Sequence, residues 1–319
     1  MLVGDLMKNV VVIGGGTGQS ALLKGLKQIN DINLATIVTV ADDGGSTGRL
    51  RDDLHIPAMG DVRNVMLALS EEESLTATLM DYRFDNNSGE LTGHNLGNII
   101  LSALTKKSGS FVQAISDLAK VLRVKGDIIP STISNVTLCA HMDDGSVVEG
   151  EHNITFDERR VKDVFYKKYV TAYPDALVAI RQADYIIIGI GSVYTSILPN
   201  LVIEDIKNEL VKTKAQIVYY CNCMTEAGET DGYSVEDHVK VIHEHIGEDI
   251  IDMVVIADDE IPAYIMENYI LEKAEIVKPM EQEHDYKILK HPLLTFETGM
   301  IRHDPNKVKV SFEKVMEVL

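Results

Sequence analysis

The sequence predicts an α/β protein with a Rossmann-like, doubly wound and mostly parallel sheet, helices on both of its faces, and a small β-hairpin insertion. Short runs rich in valine and isoleucine recur along the chain, as is typical of strands buried on both faces of a sheet. Loops rich in Gly, Asp or Asn follow these runs, and helical patterns come next, which is the βαβ alternation of a parallel sheet. The 319 residues, of which 45% are hydrophobic, can bury one large core.

The individual elements follow from these patterns in chain order. Strands are expected at residues 10–13, 34–40, 185–190, 217–220 and 253–256. Helices are expected at residues 20–28, 62–70, 95–104, 111–122 and 234–245. Because ligands of open parallel sheets bind beyond the carboxyl ends of the strands, the loop after each strand is a candidate for the binding site.

One segment departs from the βαβ alternation. Residues 136–141 and 147–151 flank the sequence MDDGS, and Asp-Gly is a strong signal for a tight hairpin turn. We therefore expect a β-rich insertion at about residues 125–155 within a single domain that spans residues 1–319.

Charge and composition exclude several classes of partner. The chain has 49 acidic and 30 basic residues and a formal charge of −19, which repels the phosphates of nucleic acids. No apolar run approaches the roughly 20 residues of a membrane span, and residues 1–8 are too short and too acidic for a signal peptide.

Cys139, Cys221 and Cys223 cannot all pair with one another, and Cys-x-Cys is a poor zinc spacing. We expect a cytoplasmic protein with reduced, buried thiols.

The loop after the first strand has the composition of a phosphate-binding loop. In IGGGTGQSALLKGL, the four residues Gly15, Gly16, Thr17 and Gly18 lie between a strand and a helix, where backbone N–H groups and the helix dipole favour an anion. The spacing does not fit the G-x-G-x-x-G pattern of NAD enzymes, and the Gly-Lys-Ser/Thr of NTPases is absent. A plain tight turn is the alternative.

The loop after the second strand is acidic. The sequence TVADDGGSTGRLRDDLHIPAMGDVRN begins with the five candidate residues Asp42, Asp43, Gly44, Gly45 and Ser46. The carboxylates could accept hydrogen bonds from sugar hydroxyls or hold Mg²⁺ against a diphosphate. An ordinary acidic turn is the alternative, and the residues alone do not decide among the three.

The remaining candidates are polar or aromatic side chains near later strand ends. A second anion cradle is expected from Gly191, Ser192 and Thr195, and Asn222 lies in the polar loop CNCMTEAGETDGYS. The ring of Tyr264 could stack on a base, and Arg302 could contact a diphosphate or the uracil carbonyls. A core position for the tyrosine and a surface salt bridge for the arginine are the alternatives. In LTGHNLGN, His94 is either a general acid or a hydrogen-bonding partner at a helix start, and Asn98 joins the candidate binding residues.

Five motifs, in the same order and with the same spacing, resemble the YvcK, or gluconeogenesis factor, branch of the CofD-like proteins. They are GGGTGQS, TVADDGGSTGRLRDDLHIPAMGDVRN, LTGHNLGN, GIGSVYTSILPNL and CNCMTEAGETDGYS, so the resemblance covers almost the whole chain. It implies a Rossmann-like domain that binds a UDP-sugar, notably UDP-N-acetylglucosamine. It also implies roles in gluconeogenic growth, cell shape and cell-wall synthesis, with protein partners there.

The CofD branch keeps a second function open. Its members transfer a phospholactyl-type group to a deazaflavin with Mg²⁺, and the resemblance places metal ligands at Asp43 and Asp61. The low aromatic content of 6% and the lack of tryptophan argue against a bed for a flat tricyclic ring. A NAD-dependent oxidoreductase is the third and weakest reading. No loop offers a nucleophile with a paired base, so no catalytic residue is expected. Oligomeric state stays open, and a homo-oligomer is compatible with the sequence.

Overall fold

A computed structural model describes residues 7–71, 75–271 and 273–319, so most of the segment 1–8 weighed as a signal peptide lies outside the described residues. The strands are β1 (Lys8–Gly14), β2 (Ile32–Val38), β3 (Asp127–Pro130), β4 (Leu138–Met142), β5 (Val147–Glu149), β6 (Val161–Tyr166), β7 (Tyr185–Ile188), β8 (Gln216–Tyr220), β9 (Met253–Ala257), β10 (Lys287–His291), β11 (Leu294–Thr295) and β12 (Arg302–His303).

The helices alternate with these strands. They are α1 (Gly16–Leu26), α2 (Gly45–Leu54), α3 (Gly60–Leu69), α4 (Leu75–Asp81), α5 (Leu96–Ser108), α6 (Phe111–Val121), α7 (Glu151–Thr155), α8 (Pro174–Gln182), α9 (Leu198–Leu201), α10 (Glu204–Lys212), α11 (Val235–Ile246), α12 (Ala263–Leu271) and α13 (Pro305–Val318). A 3₁₀ turn (Gly89–Leu91) and a π-helical turn (Val193–Ile197) complete the set. None of the helices in the described ranges is both long and apolar enough to cross a bilayer.

Seven strands form one parallel sheet in the order β10-β9-β8-β7-β1-β2-β3. From the inner strand β1 the chain runs to β2 and β3 on one side, and it later returns to β7 on the other side of β1. The order therefore reverses between β1 and β7, which is where open α/β sheets bind their ligands. The predicted Rossmann-like fold is confirmed, and the loops after β1 and β7 lie at the reversal.

The boundaries of the β-rich insertion differ from the expected range of 125–155. Strand β3 pairs with β2 and belongs to the main sheet, so the small sheet starts only at β4. The hairpin of β4 and β5 forms as expected, but β6 adds a third antiparallel strand beyond residue 155. The Asp-Gly turn is a local signal that the sequence shows directly, whereas β3 and β6 are fixed by pairing with distant strands.

The packing of α1 sets the position of the glycine loop that begins it. Gln19 is buried, and its Nε2 donates to Thr36 Oγ1 of β2 at 2.7 Å. A Cβ on Gly25 would lie 2.5 Å from the Pro305 carbonyl oxygen, so glycine permits α13 to pack directly on α1. Two neighbouring elements thus hold α1 in place, and its N-terminus has one defined position beside β1.

Helix α11 starts with a capping box, which gives a test of the fold. Ser234 Oγ accepts the Asp237 N–H at 3.2 Å, and the Asp237 carboxylate accepts the Ser234 N–H at 2.8 Å. We expect Ser234→Ala to lower the free energy of unfolding by about 1 kcal/mol, because an orphan N–H of the first turn loses its partner. Denaturant unfolding of the purified variant measures this loss. Ser116→Ala, inside α6, is the matched control, and an equal loss in both variants would contradict the assignment.

Candidate functional site

A cleft of about 560 Å³ lies beyond the carboxyl ends of β1, β7 and β8. Its lining comes from the two loops at the strand-order reversal, the loop after β8, helix α12 and strand β12. The lining residues are Gly16, Thr17, Gly18, Ala21, Ile190, Gly191, Ser192, Ser196, Asn222, Cys223, Met224, Thr225, Glu226, Ala227, Tyr269, Ala274, Ile301, Arg302 and His303. A cleft of this size is in the range of small-molecule sites.

The glycine loop brings the start of α1 to the floor of this cleft. Gly15 is the N-cap residue and offers no side-chain cap, and Gly16 adopts a left-handed φ of 66°. A Cβ on Gly18 would lie 2.4 Å from the Ile190 carbonyl oxygen, so glycine allows the loops after β1 and β7 to touch. N–H groups at a helix start form a site for an anion such as a phosphate, and because the Asp61 carboxylate already accepts the Gly16 N–H, the site depends on the N–H groups that follow it.

The loop after β7 is held by the loop after β8. Asn222 Nδ2 donates to the Gly191 carbonyl oxygen at 3.0 Å, and the Gly191 N–H donates to Asn222 Oδ1 at 3.3 Å. Ser192 Oγ accepts the Thr195 N–H at 3.0 Å and caps the π-helical turn. Gly191, Ser192 and Asn222 line the cleft, while Thr195 is buried behind Ser192.

Arg302 supplies a positive charge at the edge of the cleft. Its guanidinium donates to the Ile301 carbonyl oxygen at 3.0 Å and contacts the Met300 sulfur at 3.4 Å. No Asp or Glu in the part of the chain that the structure describes forms an ion pair with it, which removes the surface salt bridge as its role there. Tyr269, whose hydroxyl accepts the Ile301 N–H at 2.9 Å, holds the neighbouring backbone. The arginine is therefore positioned with its charge free for an anionic ligand.

The acidic loop lies behind the glycine loop. The Gly16 N–H donates to the Asp61 carboxylate, and burial together with the negative charge of Asp42 raises the pKa of Asp61 to about 7. Burial likewise raises the pKa of Asp42, although its Oδ1 accepts the Gly44 N–H at 2.9 Å. These two carboxylates thus share a desolvated region without full neutralisation by a cation.

Asp43 and Glu151 connect this region to the small sheet. Asp43 Oδ1 accepts the His152 N–H at 2.9 Å, so this carboxylate faces the start of α7. Burial and the charges of Asp42 and Asp61 raise the pKa of Glu151 to about 8. Glu151 comes from the insertion, and no pattern in the sequence predicts its approach to the acidic loop.

We tested whether these acids fit Mg²⁺. The charges of Asp42 and Asp61 interact, and their oxygens are of the type that Mg²⁺ prefers. Asp43, which the resemblance pairs with Asp61, is instead bonded to His152. Within residues 7–71, 75–271 and 273–319, no three His, Cys, Asp or Glu side chains converge on one point as a metal site requires. A cation here would need most of its ligands from water and a bound diphosphate.

Other predicted residues support the acidic loop from behind. Ser46 Oγ lies 3.1 Å from His94 Nδ1 and accepts the Asn95 N–H at 3.2 Å. Asn98 donates to Thr47 Oγ1 at 3.3 Å and is buried. His94 is a hydrogen-bonding partner near a helix start, and burial and the charge of Arg49 lower its pKa. Asp42, Asp43, Gly44, Gly45, Ser46 and Asn98 are not among the residues that line the cleft.

The aromatic residue at the cleft is Tyr269 rather than Tyr264. Tyr264 is 64% exposed and does not line the cleft. Both tyrosines lie on α12, and the sequence does not show which side of this helix faces the site. Glu226 and Glu229 were also missed, although the loop CNCMTEAGETDGYS that carries them was singled out.

The comparisons with known proteins decide the family. The model of the family 2-phospho-L-lactate transferase CofD matches residues 10–294. The chain belongs to the CofD-like family. The gluconeogenesis factor of Bacillus subtilis (strain 168) is 44% identical over 307 residues, which cover 94% of this chain and 95% of that protein. The gluconeogenesis factor of Listeria innocua is 44% identical over 300 residues, which cover 94% of this chain and 92% of that protein.

Solved structures agree with this assignment. A crystal structure of a Bacillus halodurans protein matches with a TM-score of 0.91 at 43% identity and covers 97% of this chain and 99% of that one. A second, described as a member of the UPF0052 family, matches with a TM-score of 0.90 at 42% identity and covers 95% and 99% of the two chains. The predicted gluconeogenesis factor branch is confirmed, and the family names associate the chain with gluconeogenesis.

Proposed function

We propose that the protein binds UDP-N-acetylglucosamine reversibly and acts as a regulator that links precursor supply to cell-wall synthesis and cell shape during gluconeogenic growth. The observation that carries the proposal is the convergence of two glycine loops and Arg302 on one cleft at the strand-order reversal. Such a cleft supplies backbone donors and one cation, which suit a nucleoside diphosphate whose charge must be held.

The diphosphate is proposed to bind over the start of α1. Gly16, Thr17 and Gly18 line the cleft there, and the uncapped helix start favours negative charge. Arg302 lines the same cleft from strand β12, and the planar fork of its guanidinium suits phosphate oxygens or the uracil carbonyls. The sugar would then extend towards the polar loop that contains Asn222 and Thr225.

A regulator is favoured over an enzyme because the cleft has no activated nucleophile among the described residues. Burial raises the pKa of Cys223 to about 12, and burial also raises the pKa of Cys221, so both thiols stay protonated. Ser192 Oγ is a helix cap that accepts two hydrogen bonds from Thr195 and donates to the buried Glu229 carboxylate. Because all three hydrogen bonds hold this hydroxyl in the protein, we assign it, like the two thiols, a structural role.

Calorimetric titration tests the proposal. We expect saturable binding of UDP-N-acetylglucosamine, weaker binding of GDP, and weaker binding of NAD because the loop departs from the dinucleotide pattern. GDP serves as a matched control that keeps the diphosphate and changes the base. Tighter binding of NAD or GDP than of every UDP-sugar would overturn the choice of ligand.

A Mg²⁺-dependent phospholactyl transferase is the second candidate, and the unneutralised charges of Asp42 and Asp61 favour it. When bound, Mg²⁺ would neutralise a diphosphate and polarise the transferred group. Asp42 and Asp61 would hold the ion, while the glycine loop would orient the phosphates.

The two candidates differ in their dependence on metal. We expect the affinity for UDP-N-acetylglucosamine to be the same in Mg²⁺ and in EDTA, because Arg302 and the start of α1 supply the positive potential. Parallel titrations of the wild type and Asp61→Asn in both buffers measure this, with Asp43→Asn, whose carboxylate is bonded to His152, as a second variant. A fall in wild-type affinity on adding EDTA would favour the metal-dependent reading, and loss of that sensitivity in Asp61→Asn would assign the ion to this loop.

A further inference from the structure

Two glutamates from the loop after β8 meet at the side of the cleft. The Thr230 N–H donates to the Glu226 carbonyl oxygen at 2.8 Å, and the Glu226 N–H donates to Thr230 Oγ1 at 2.8 Å, which closes a tight turn. Gly228 has a φ of 82°, and a Cβ added to it would lie 2.7 Å from the Asp157 carbonyl oxygen, so glycine allows this turn to pack closely there. The turn holds Glu226, which is half-buried, and Glu229, which is buried, three residues apart in one tight loop.

The two carboxyl groups have different surroundings. Glu229 is only 3% exposed, and it bonds Ser192 Oγ and accepts from Thr195 Oγ1 at 3.3 Å. Glu226 lines the cleft, and Asn222 Nδ2 lies 3.5 Å from its Oε1. Glu229 thus supports the loop after β7 from beneath, while Glu226 faces the space beside it.

No cation neutralises this pair within the described ranges. The hydrogen-bonding partners of Glu229 are hydroxyls and a backbone N–H, and the charge that acts on Glu226 is that of Glu229 itself. The other titratable groups that interact with the pair or line the same cleft are Glu151, Tyr194, Tyr219, Cys223, Tyr269, Arg302 and His303. The arginine is the permanent cation among them, and it is the group assigned to the ligand.

We propose that Glu226 binds the ligand as a protonated carboxylic acid, donating a hydrogen bond to an oxygen of the nucleotide sugar while Glu229 stays beneath it on Ser192. This inference rests on the proposed function and adds to it a ligand-binding residue, Glu226, and the proton that this residue carries. A diphosphate ligand and two ionised carboxylates in one cleft would repel each other, whereas a carboxylic acid offers a donor at the same place. Binding would then require the proton to be present.

The pKa values agree in direction with this geometry. Burial and the charge of Glu229 raise the pKa of Glu226 to about 8, and burial raises the pKa of Glu229. Because the raised pKa belongs to the folded protein, the proton is present below about pH 8 and is lost as the pH rises through that value. Ligand affinity is therefore expected to be constant near pH 7 and to fall above pH 8 by up to about tenfold per pH unit.

The test is calorimetric titration of the full chain with UDP-N-acetylglucosamine between pH 6.5 and 9.5. Glu226→Gln keeps a donor without a charge, and its affinity should not show the fall above pH 8 that the wild type shows. Glu226→Ala lacks the donor, and its affinity should be weaker at pH 7 and should lack the same fall above pH 8. Glu260→Gln removes an exposed carboxylate from the loop before α12 and is the matched control, which should keep the wild-type pH profile.

Two further measurements give independent readouts. Titrations above pH 8 in buffers of different ionisation enthalpy should show uptake of up to one proton by the wild type and none by Glu226→Gln. Carbon NMR of the ligand-free protein should show two glutamate carboxyls titrating near pH 8, those of Glu226 and Glu151, and Glu226→Gln should remove one of the two. Wild-type binding that is strong and independent of pH to 9.5 would overturn the inference and leave the proposed function intact. Absence of binding at every pH would overturn both.

Discussion

Arg302→Ala is expected to lower the affinity for UDP-N-acetylglucosamine by about 100-fold, which corresponds to about 2.7 kcal/mol. The guanidinium lines the cleft and has backbone and sulfur contacts but no carboxylate partner among the described residues. Hydrogen bonds to charged groups contribute about 1.5–3 kcal/mol each, and the proposed bond joins the Arg302 guanidinium to a phosphate or carbonyl oxygen of the ligand. Arg302→Lys keeps the charge without the planar fork, so an intermediate loss is expected.

Calorimetry at pH 7 measures this loss, and thermal unfolding checks the fold of each variant. Arg123→Ala is the matched control, because its guanidinium pairs with exposed Glu71 at 3.4 Å, away from the cleft. The control should bind the ligand as the wild type does. An Arg302→Ala protein that also binds with unchanged affinity would show that this arginine does not touch the ligand.

Gly16→Val is expected to weaken binding by at least about 2 kcal/mol, or roughly 30-fold. The residue lines the cleft at the start of α1, so a branched side chain would displace phosphate from the N–H groups of the loop. Its left-handed φ of 66° also strains the variant, and a loss of stability of about 1–2 kcal/mol comes with it.

A second glycine separates the strain from the loss of binding. Gly109 ends α5 with a φ of 70°, and an added Cβ there would meet nothing within 4 Å. Gly109→Val should therefore lose similar stability in denaturant unfolding while keeping its affinity in calorimetry. If both variants lost affinity equally, or if folded Gly16→Val bound normally, the glycine loop would be excluded from the site.

Much of the fold was predictable because its signals are local. The runs that form β1, β2, β7, β8 and β9 are mostly buried on both faces, and their C-terminal halves read as apolar segments. By contrast, β3, β6 and β10 carry more exposed side chains, and their burial patterns alternate or are mixed. Such strands are defined by their partners in the sheet, which a single sequence does not display.

The site was predictable to the level of loops but not of every side chain. Gly16 and Gly191, which line the cleft, could be predicted as candidates because a glycine cluster after a strand has a direct physical use. Tyr269 was missed in favour of Tyr264 because the rotation of α12 about its axis is a tertiary property. Glu151 was missed because it approaches the acidic loop from the insertion, more than a hundred residues away in sequence.

We propose that the protein binds a nucleotide sugar without consuming it. The most direct test is long incubation of the protein with isotope-labelled UDP-N-acetylglucosamine, Mg²⁺ and candidate acceptors, followed by mass spectrometry of the small molecules and parallel calorimetry. We expect tight binding with full recovery of the intact nucleotide sugar. Sustained release of UDP or UMP over multiple turnovers would contradict it and make the protein an enzyme.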